Sequence, residues 1–477
     1  MPVRIAAAAL VVVAFALPRP ASHEPRSTQQ ADDPRPGLDS AQVSQMIAGL
    51  ERSDPVTCDL AVNGLHNGWW SWSREAGIGV FHDVSAEQRI ANGRPRNRVT
   101  DPRAVPMLAV HLGNGNPCVR RAAALFLGSN EKLAGASEAM RQGLKAATPR
   151  VREAAAFALG VRDEGEDTRP LLDALASEKD PAVLAMVAWG LGQIEDPATV
   201  APLLKVLRHD DPGVRASVAY ALGQIEDERA TEPLLPLLRD ASADVRRVTA
   251  DALGDIDDPR ATSALVAALE DGDLEVRLAA TEALGEIEDK RAVAGLSRTL
   301  QARETPLRIA AAEALGNIED PSAIDALLRA LRDNDAEVRV AAAEALGDIE
   351  DRRAADGLAA AIGDSDRRVR HAAIEAIGNL DDLETAPRAL LTALRDSDRE
   401  IQFAAIESVG SIHDPAAVAG LQGAYASEDP KVRMKVIEAV EDIEGAPASA
   451  LLVSALKDVD AKIRKRAAEA LGDRDDK

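Results

Sequence analysis

The pattern of apolar and polar positions repeats along most of the chain. A glycine closes an Ala-Leu-Gly-like string in unit after unit, and successive glycines of this kind stand mostly 31 or 32 residues apart. They are Gly128, Gly160, Gly192, Gly223, Gly254, Gly285, Gly316, Gly347, Gly378, Gly410 and Gly472, and Glu441 fills the one empty position. The sequence therefore predicts twelve units, with a degenerate thirteenth at residues 54–66 before them.

Each unit is predicted to fold as two helices. In the unit that ends at Gly285, the residues from Ala261 to Leu269 have the apolar spacing of a first helix. Asp273 is placed to cap a second helix from Leu274 to Leu284, and we expect Gly285 to end that helix in a left-handed conformation. One pair cannot bury its own apolar stripe, so the pairs must stack into a solenoid.

Two charged positions recur with the glycines. An arginine stands eight residues before the glycine position in ten units, and Leu184 and Gln402 interrupt that series. An aspartate follows the glycine by four residues in eight units, from Asp196 to Asp414. Both positions are expected to be structural, because the planar fork of arginine can bind turn carbonyls or a carboxylate.

The repeated strings resemble a known family. Residues 338–351, VRVAAAEALGDIED, look like HEAT repeats of the phycobilin-lyase type, and the resemblance covers about residues 101–477. It implies an all-α fold, an α-solenoid of the armadillo type with about twelve to thirteen helix pairs. Such repeats occur in scaffolds, adaptors, bilin lyases and the iron-dependent deoxyhypusine hydroxylase. The hydroxylase binds iron through several His-Glu dyads, and this sequence has one, His23-Glu24, so neither a metal nor another cofactor is predicted.

The positions one and five residues after the arginine are predicted to line the inner surface of the solenoid, because they are i, i+4 neighbours away from the buried stripe. We call this surface the inner face. The later position begins with an apolar group, Leu125, Phe157, Trp189 and Tyr220, and continues as an acidic row, Asp251, Glu282, Glu313, Glu344, Glu375, Glu407, Glu438 and Glu469. The earlier position adds an apolar row, Leu278, Ile309, Val340, Phe403 and Met434. The first group predicts a partner-binding anchor, and the acids predict a basic partner segment. The alternative is that glutamate recurs only as a solvated helix former.

The N-terminal segments differ from the repeats. Residues 1–22 have the pattern of a secretory signal peptide, with Arg4 before an apolar run that is too short to span a bilayer. Residues 23–37 are expected to be a flexible leader. Residues 38–98 would hold the degenerate first repeat and an insertion with Trp69, Trp70 and Trp72, either an end cap or a partner loop. The solenoid would then occupy residues 99–477.

The two cysteines are candidates for a disulfide. Cys58 aligns with the arginine position of the degenerate unit, and Cys118 lies at the start of the corresponding helix in the next unit. If the two units stack, an oxidising compartment would allow a bond between them. The alternative is a pair of buried thiols.

Charge and the absence of catalytic motifs restrict the function. A net charge of −23 argues against nucleic acid and against anionic membranes as partners. We find no phosphate-binding loop, zinc-type cysteine set or nucleophile elbow. The sequence therefore predicts an exported, monomeric scaffold, periplasmic or extracellular, that binds a protein or peptide along its concave face. The alternatives are an enzyme related to bilin lyases and a regulatory or sensor domain of an envelope stress pathway.

Overall fold

The computed structural model describes residues 37–53, 99–130, 132–162 and 168–475. The chain divides after Gly37, and the fold described here is that of the unit from Leu38 onward. Within the described ranges the regular secondary structure is helical, apart from an isolated β-bridge between Leu38 and Val99. The predicted signal peptide, nearly all of the leader, the degenerate unit at residues 54–66 and the Trp-rich insertion lie outside these ranges.

A helix that the repeat pattern does not include precedes the array. Helix α1 (Ser40–Arg52) begins with a capping box between Asp39 and Gln42. Its buried residues Val43, Ile47 and Leu50 follow i, i+4, i+7 spacing, and the helix packs against the first helix pair. It therefore covers part of the N-terminal end of the apolar core.

Twelve helix pairs follow, and they match the twelve units that the sequence predicts. The first helices are α2 (Ala104–His111), α4 (Ala136–Gly143), α6 (Thr168–Ser177), α8 (Val200–Leu204), α10 (Thr231–Leu234), α12 (Thr262–Ala268), α14 (Val293–Thr299), α16 (Ile324–Ala330), α18 (Ala355–Ala361), α20 (Arg388–Ala393), α22 (Val418–Tyr425) and α24 (Ala446–Ala455). The second helices are α3 (Pro117–Gly128), α5 (Pro149–Arg162), α7 (Pro181–Gln193), α9 (Pro212–Gln224), α11 (Ala243–Asp255), α13 (Leu274–Glu286), α15 (Thr305–Ile318), α17 (Ala336–Asp348), α19 (Arg367–Gly378), α21 (Arg399–Ile412), α23 (Pro430–Glu441) and α25 (Ala461–Asp475). The all-α solenoid is therefore confirmed.

The expectation that the glycine ends each second helix in a left-handed conformation is wrong. Gly285 lies within α13, and the residue with positive φ in that turn is Glu288, at 52°. The corresponding residues in the other turns, with φ between 52° and 56°, are Glu195, Glu226, Asp257, Glu319, Glu350, Asp382 and His413. The left-handed residue therefore comes three or four positions after the glycine.

The glycines instead permit close contact between second helices. A Cβ added to Gly285 would lie 2.9 Å from the Cα of Ala314 in α15, and one on Gly192 would lie 2.7 Å from the Cα of Ala221 in α9. Consecutive second helices consequently pack against each other along the array, whereas first helices meet their neighbours mainly through short 3-10 turns. The closer spacing of the second helices makes theirs the inner layer.

The recurring aspartates and arginines are structural, as predicted. Asp258 accepts a hydrogen bond from the backbone N–H of Arg260 and thereby caps the turn that leads into α12. Arg308 donates to the carbonyl oxygens of Ala302 and Arg303, at 3.1 Å each, and forms a bidentate ion pair with Asp333 of the next repeat. The carboxylate partner is thus the aspartate 25 residues further on, not the one that follows the glycine.

Candidate functional site

The acidic row lies on the surface of the second helices. Seven of its eight members, Glu282 to Glu469, are exposed, and Asp251 is half-buried. One helical turn earlier, the apolar row Leu278, Ile309, Val340, Phe403 and Met434 is half-buried. The structure therefore places carboxylates beside partly accessible apolar groups on the inner face from α13 onward.

The N-terminal members of the predicted site are placed differently. Trp189 is 1% exposed and Leu125 is 5% exposed, so the prediction that these two side chains are accessible on the inner face is wrong. The indole of Trp189 stacks on the ring of Phe157 with a centroid distance of 5.3 Å. It also packs directly over Gly160, where any side chain would collide with the indole. Trp189 is a packing residue of the α5–α7 interface.

Phe157 and Tyr220 remain partly accessible. Tyr220 lies between two glutamines: its hydroxyl accepts a hydrogen bond from Gln193 and donates one to Gln224, each at 3.3 Å. Gln224 in turn donates to Asp255 in the next repeat. Around Tyr220 the inner face therefore carries a series of hydrogen-bonded polar side chains, not the accessible apolar anchor that the sequence predicts.

Ion pairs divide the acidic row into two groups. Five members lie within 4 Å of a basic side chain: Asp251 pairs with Arg247, Glu375 with His371, Glu407 and Glu438 with Lys435, and Glu469 with Lys465. Glu282, Glu313 and Glu344 have no cation at ion-pair distance within the described part of the chain. The i, i+4 spacing of Arg247–Asp251 and His371–Glu375 is visible in the sequence, so this division could in part have been predicted.

The pKa of each of the three glutamates without an ion pair is raised. Partial burial of the carboxyl groups among the second helices raises the pKa of Glu282, Glu313 and Glu344, although each residue as a whole is exposed. The pKa of Glu344 is raised to about 6, first by this loss of hydration and then by the carboxylates of Glu313, Asp348, Glu375 and Glu337. A cation from a partner would relieve this unfavourable crowding of negative charge.

Of the two cysteines that are predicted to form a disulfide, the structure describes Cys118 alone. Cys118 is buried and its sulfur is not a free thiol, but Cys58 lies outside the described residues, so the Cys58–Cys118 bond stays a prediction.

Across the described ranges, no group of His, Cys, Asp and Glu side chains is arranged to hold a metal ion. In the same ranges no helix has the length and apolarity needed to cross a bilayer.

Comparison with solved structures finds other chains with partial likeness. An engineered protein aligns with 77% of this chain and 98% of its own length, at 22% identity and a TM-score of 0.40. A chain from the structure of Kap95p binding to RanGDP aligns with 91% of this chain and 66% of its own length, at 14% identity and a TM-score of 0.47. No curated protein matches the sequence at a significant level.

Comparison with protein families finds one that matches. The family described as HEAT repeats matches residues 168–247, 231–307, 296–378 and 386–472. Together these stretches cover more than half of the chain, and they coincide with helix pairs in which each second helix packs on the next. On both the sequence match and the stacking of its helix pairs, this chain belongs to the HEAT-repeat family.

Proposed function

We propose that this HEAT-repeat solenoid is an exported scaffold that binds a protein or peptide along its concave inner face, with the acidic row facing a basic segment of the partner. The observation that supports this most directly is the exposure of acidic side chains in seven consecutive repeats, from Glu282 to Glu469, beside the half-buried apolar row. Apolar contact supplies affinity, and complementary charge supplies specificity and a fast encounter.

Three finer points belong to the same proposal. The string at residues 338–351 supports repeats of the phycobilin-lyase type, and the apolar run after Arg4 supports export to the periplasm or the extracellular space. We also propose that the scaffold acts as a monomer.

The test compares two charge reversals that change the net charge equally. One variant carries Glu282→Lys, Glu313→Lys and Glu344→Lys on the inner face. The matched control carries Glu232→Lys, Asp325→Lys and Asp356→Lys, which are exposed on first helices. Wild-type protein and both variants are immobilised, and the proteins that each retains from the envelope fraction of the source cells are identified by mass spectrometry.

We expect a protein that wild type and the control variant retain stoichiometrically and that the inner-face variant loses, because like charges facing each other oppose binding. Equal retention by all three proteins would contradict the inner face as the binding surface. Purification of the wild type with a covalently bound pigment would instead favour an enzyme related to the bilin lyases.

A further inference from the structure

One stretch of the inner face combines half-buried apolar side chains with glutamates that have no cation at ion-pair distance within the described residues. In α13, α15 and α17 the apolar row supplies Leu278, Ile309 and Val340, each half-buried. On the same helices, one turn later, stand the glutamates without an ion pair, Glu282, Glu313 and Glu344. We call these six residues the three-repeat strip.

The strip ends where the two neighbouring repeats carry a basic side chain instead of an apolar one at the earlier position. In α11 the apolar position is taken by Arg247, whose guanidinium lies 2.7 Å from the carboxylate of Asp251. In α19 it is taken by His371, whose ring nitrogen lies 3.0 Å from the carboxylate of Glu375. Each of these repeats pairs its own acid with a basic side chain and offers no apolar side chain at the earlier position. The strip therefore has a defined length of three repeats.

The spacing of the strip restricts the backbone that can follow it. Packed helices lie about 8–10 Å apart, so equivalent side chains on α13, α15 and α17 repeat at about that interval. A polyproline II segment rises about 3.1 Å per residue with three residues per turn, so every third side chain returns to the same side after about 9 Å. An α-helix cannot match both rows as closely, because about 9 Å along its axis is not a whole number of turns.

We propose that the three-repeat strip binds an extended segment of a partner protein in which a basic residue recurs at every third position and is followed by an apolar residue. Each basic side chain meets one of the three glutamates, and each apolar side chain contacts Leu278, Ile309 or Val340. The third residue of every triplet faces solvent, where proline is accommodated. This inference rests on the proposed function and specifies its ligand.

The probe is a fluorescein-labelled nonapeptide made of three Lys-Leu-Pro triplets. Its control contains the same nine residues with the three lysines adjacent, so the two peptides have equal charge and composition. Binding to the full-length protein is measured by fluorescence anisotropy. We expect the spaced peptide to bind about tenfold more tightly, because only the spaced peptide brings all three charge-assisted contacts into register.

Protein variants then locate the site. Glu282→Gln, Glu313→Gln and Glu344→Gln should each weaken binding of the spaced peptide by about threefold to tenfold. Asp325→Asn and Asp356→Asn are the matched controls, since each removes one exposed carboxylate from a first helix, outside the inner face. These controls should leave binding within about twofold of wild type.

The outcomes separate this inference from the proposed function. Equal affinity for the spaced and clustered peptides, or no binding up to about 1 mM, would overturn the three-repeat strip. Loss of binding in the control variants to the same extent as in the strip variants would also overturn it, since general acidity would then explain the result. In each case the retention experiment with the natural partner still decides separately whether the inner face is a binding surface.

Discussion

At the scale of single residues, the acidic row consists of chemically different carboxylates. Glu375 forms an ion pair with His371, and the pKa of that histidine is raised, mainly by its hydrogen bond to Glu375. Glu344 has no such cation, and burial and neighbouring carboxylates raise its pKa to about 6. Equivalent positions in the repeat therefore place Glu344 and Glu375 in different electrostatic surroundings, because their neighbours at the earlier position differ.

The raised pKa of Glu344 predicts how the stability of the protein depends on pH. A carboxyl group with a higher pKa in the folded state favours folding when it is protonated, so the contribution of Glu344 becomes more favourable as pH falls through about 6. We expect the urea midpoint of unfolding to rise between about pH 7 and pH 5, and to rise less in Glu344→Gln. Circular dichroism at a series of pH values measures both midpoints.

Further acidification should have the opposite effect. The pKa values of Asp258 and Asp289 are lowered to about 2, mainly by hydrogen bonds from Arg260 and Arg291, so the stability they contribute is lost as pH falls from about 4 towards 2. Glu438→Gln is the control for the unfolding measurements between about pH 7 and pH 5. If the Glu344→Gln protein keeps the full rise between about pH 7 and pH 5, this account of Glu344 is wrong.

At the scale of helices, the interface between second helices depends on small residues. Gly285 in α13 faces Ala314 in α15, and the same glycine–alanine contact recurs between Gly316 and Ala345 and between Gly347 and Ala376. Glycine is disfavoured in helices relative to alanine by about 1 kcal/mol, so its repetition here reflects packing rather than helix propensity. The close contact also brings the side chains of the inner face within one helix spacing of each other.

We therefore expect Gly285→Ala to destabilise the protein by about 1–3 kcal/mol, since the added methyl group would have to displace the backbone of α15. Gly272→Ala is the matched control, because no atom beyond its chain neighbours lies within 4 Å of the Cβ it would add. Thermal and urea unfolding of both variants measure the effect. A Gly285→Ala protein as stable as wild type would show that the two helices can separate without cost.

At the scale of the whole molecule, the structure is a series of similar units, each in contact chiefly with its neighbours. The arginine ladder shows this directly, because Arg308 binds Asp333 in the next repeat and Arg339 binds Asp364 in the one after. Stability is then a sum of unit and interface contributions, and no single unit is indispensable.

Deletion of one complete unit should consequently leave a folded protein. Removing residues 285–315 joins Leu284 to Gly316 and restores the Ala-Leu-Gly string, so α13 and α15 fuse in register. Removing residues 289–304 deletes α14 alone and exposes the apolar stripe of α15, which should cause aggregation. Circular dichroism and light scattering compare the two proteins; similar collapse of both would contradict additive stacking.

Much of this architecture could be predicted from the sequence alone. The glycine period, the capping residues such as Asp273 and the apolar stripe with Val276 and Leu284 are local signals that recur in most or all of the twelve units. Repetition averages out the uncertainty of any single helix, so the sequence was sufficient for the solenoid fold and for the twelve helix pairs of the described residues. It was also sufficient for the exposure of the acids from Glu282 to Glu469.

Only the tertiary structure decided which side chains of the inner face are accessible. Leu125, Trp189 and Glu282 occupy the same position in the repeat, yet Leu125 and Trp189 are buried and Glu282 is exposed. The indole of Trp189 is buried because it lies across Gly160 and Phe157 of the preceding second helix, a contact between residues about thirty positions apart. The pairing of Glu407 with Lys435 likewise joins two repeats. Such contacts depend on how far apart the helices pack, and a periodic pattern does not contain that distance.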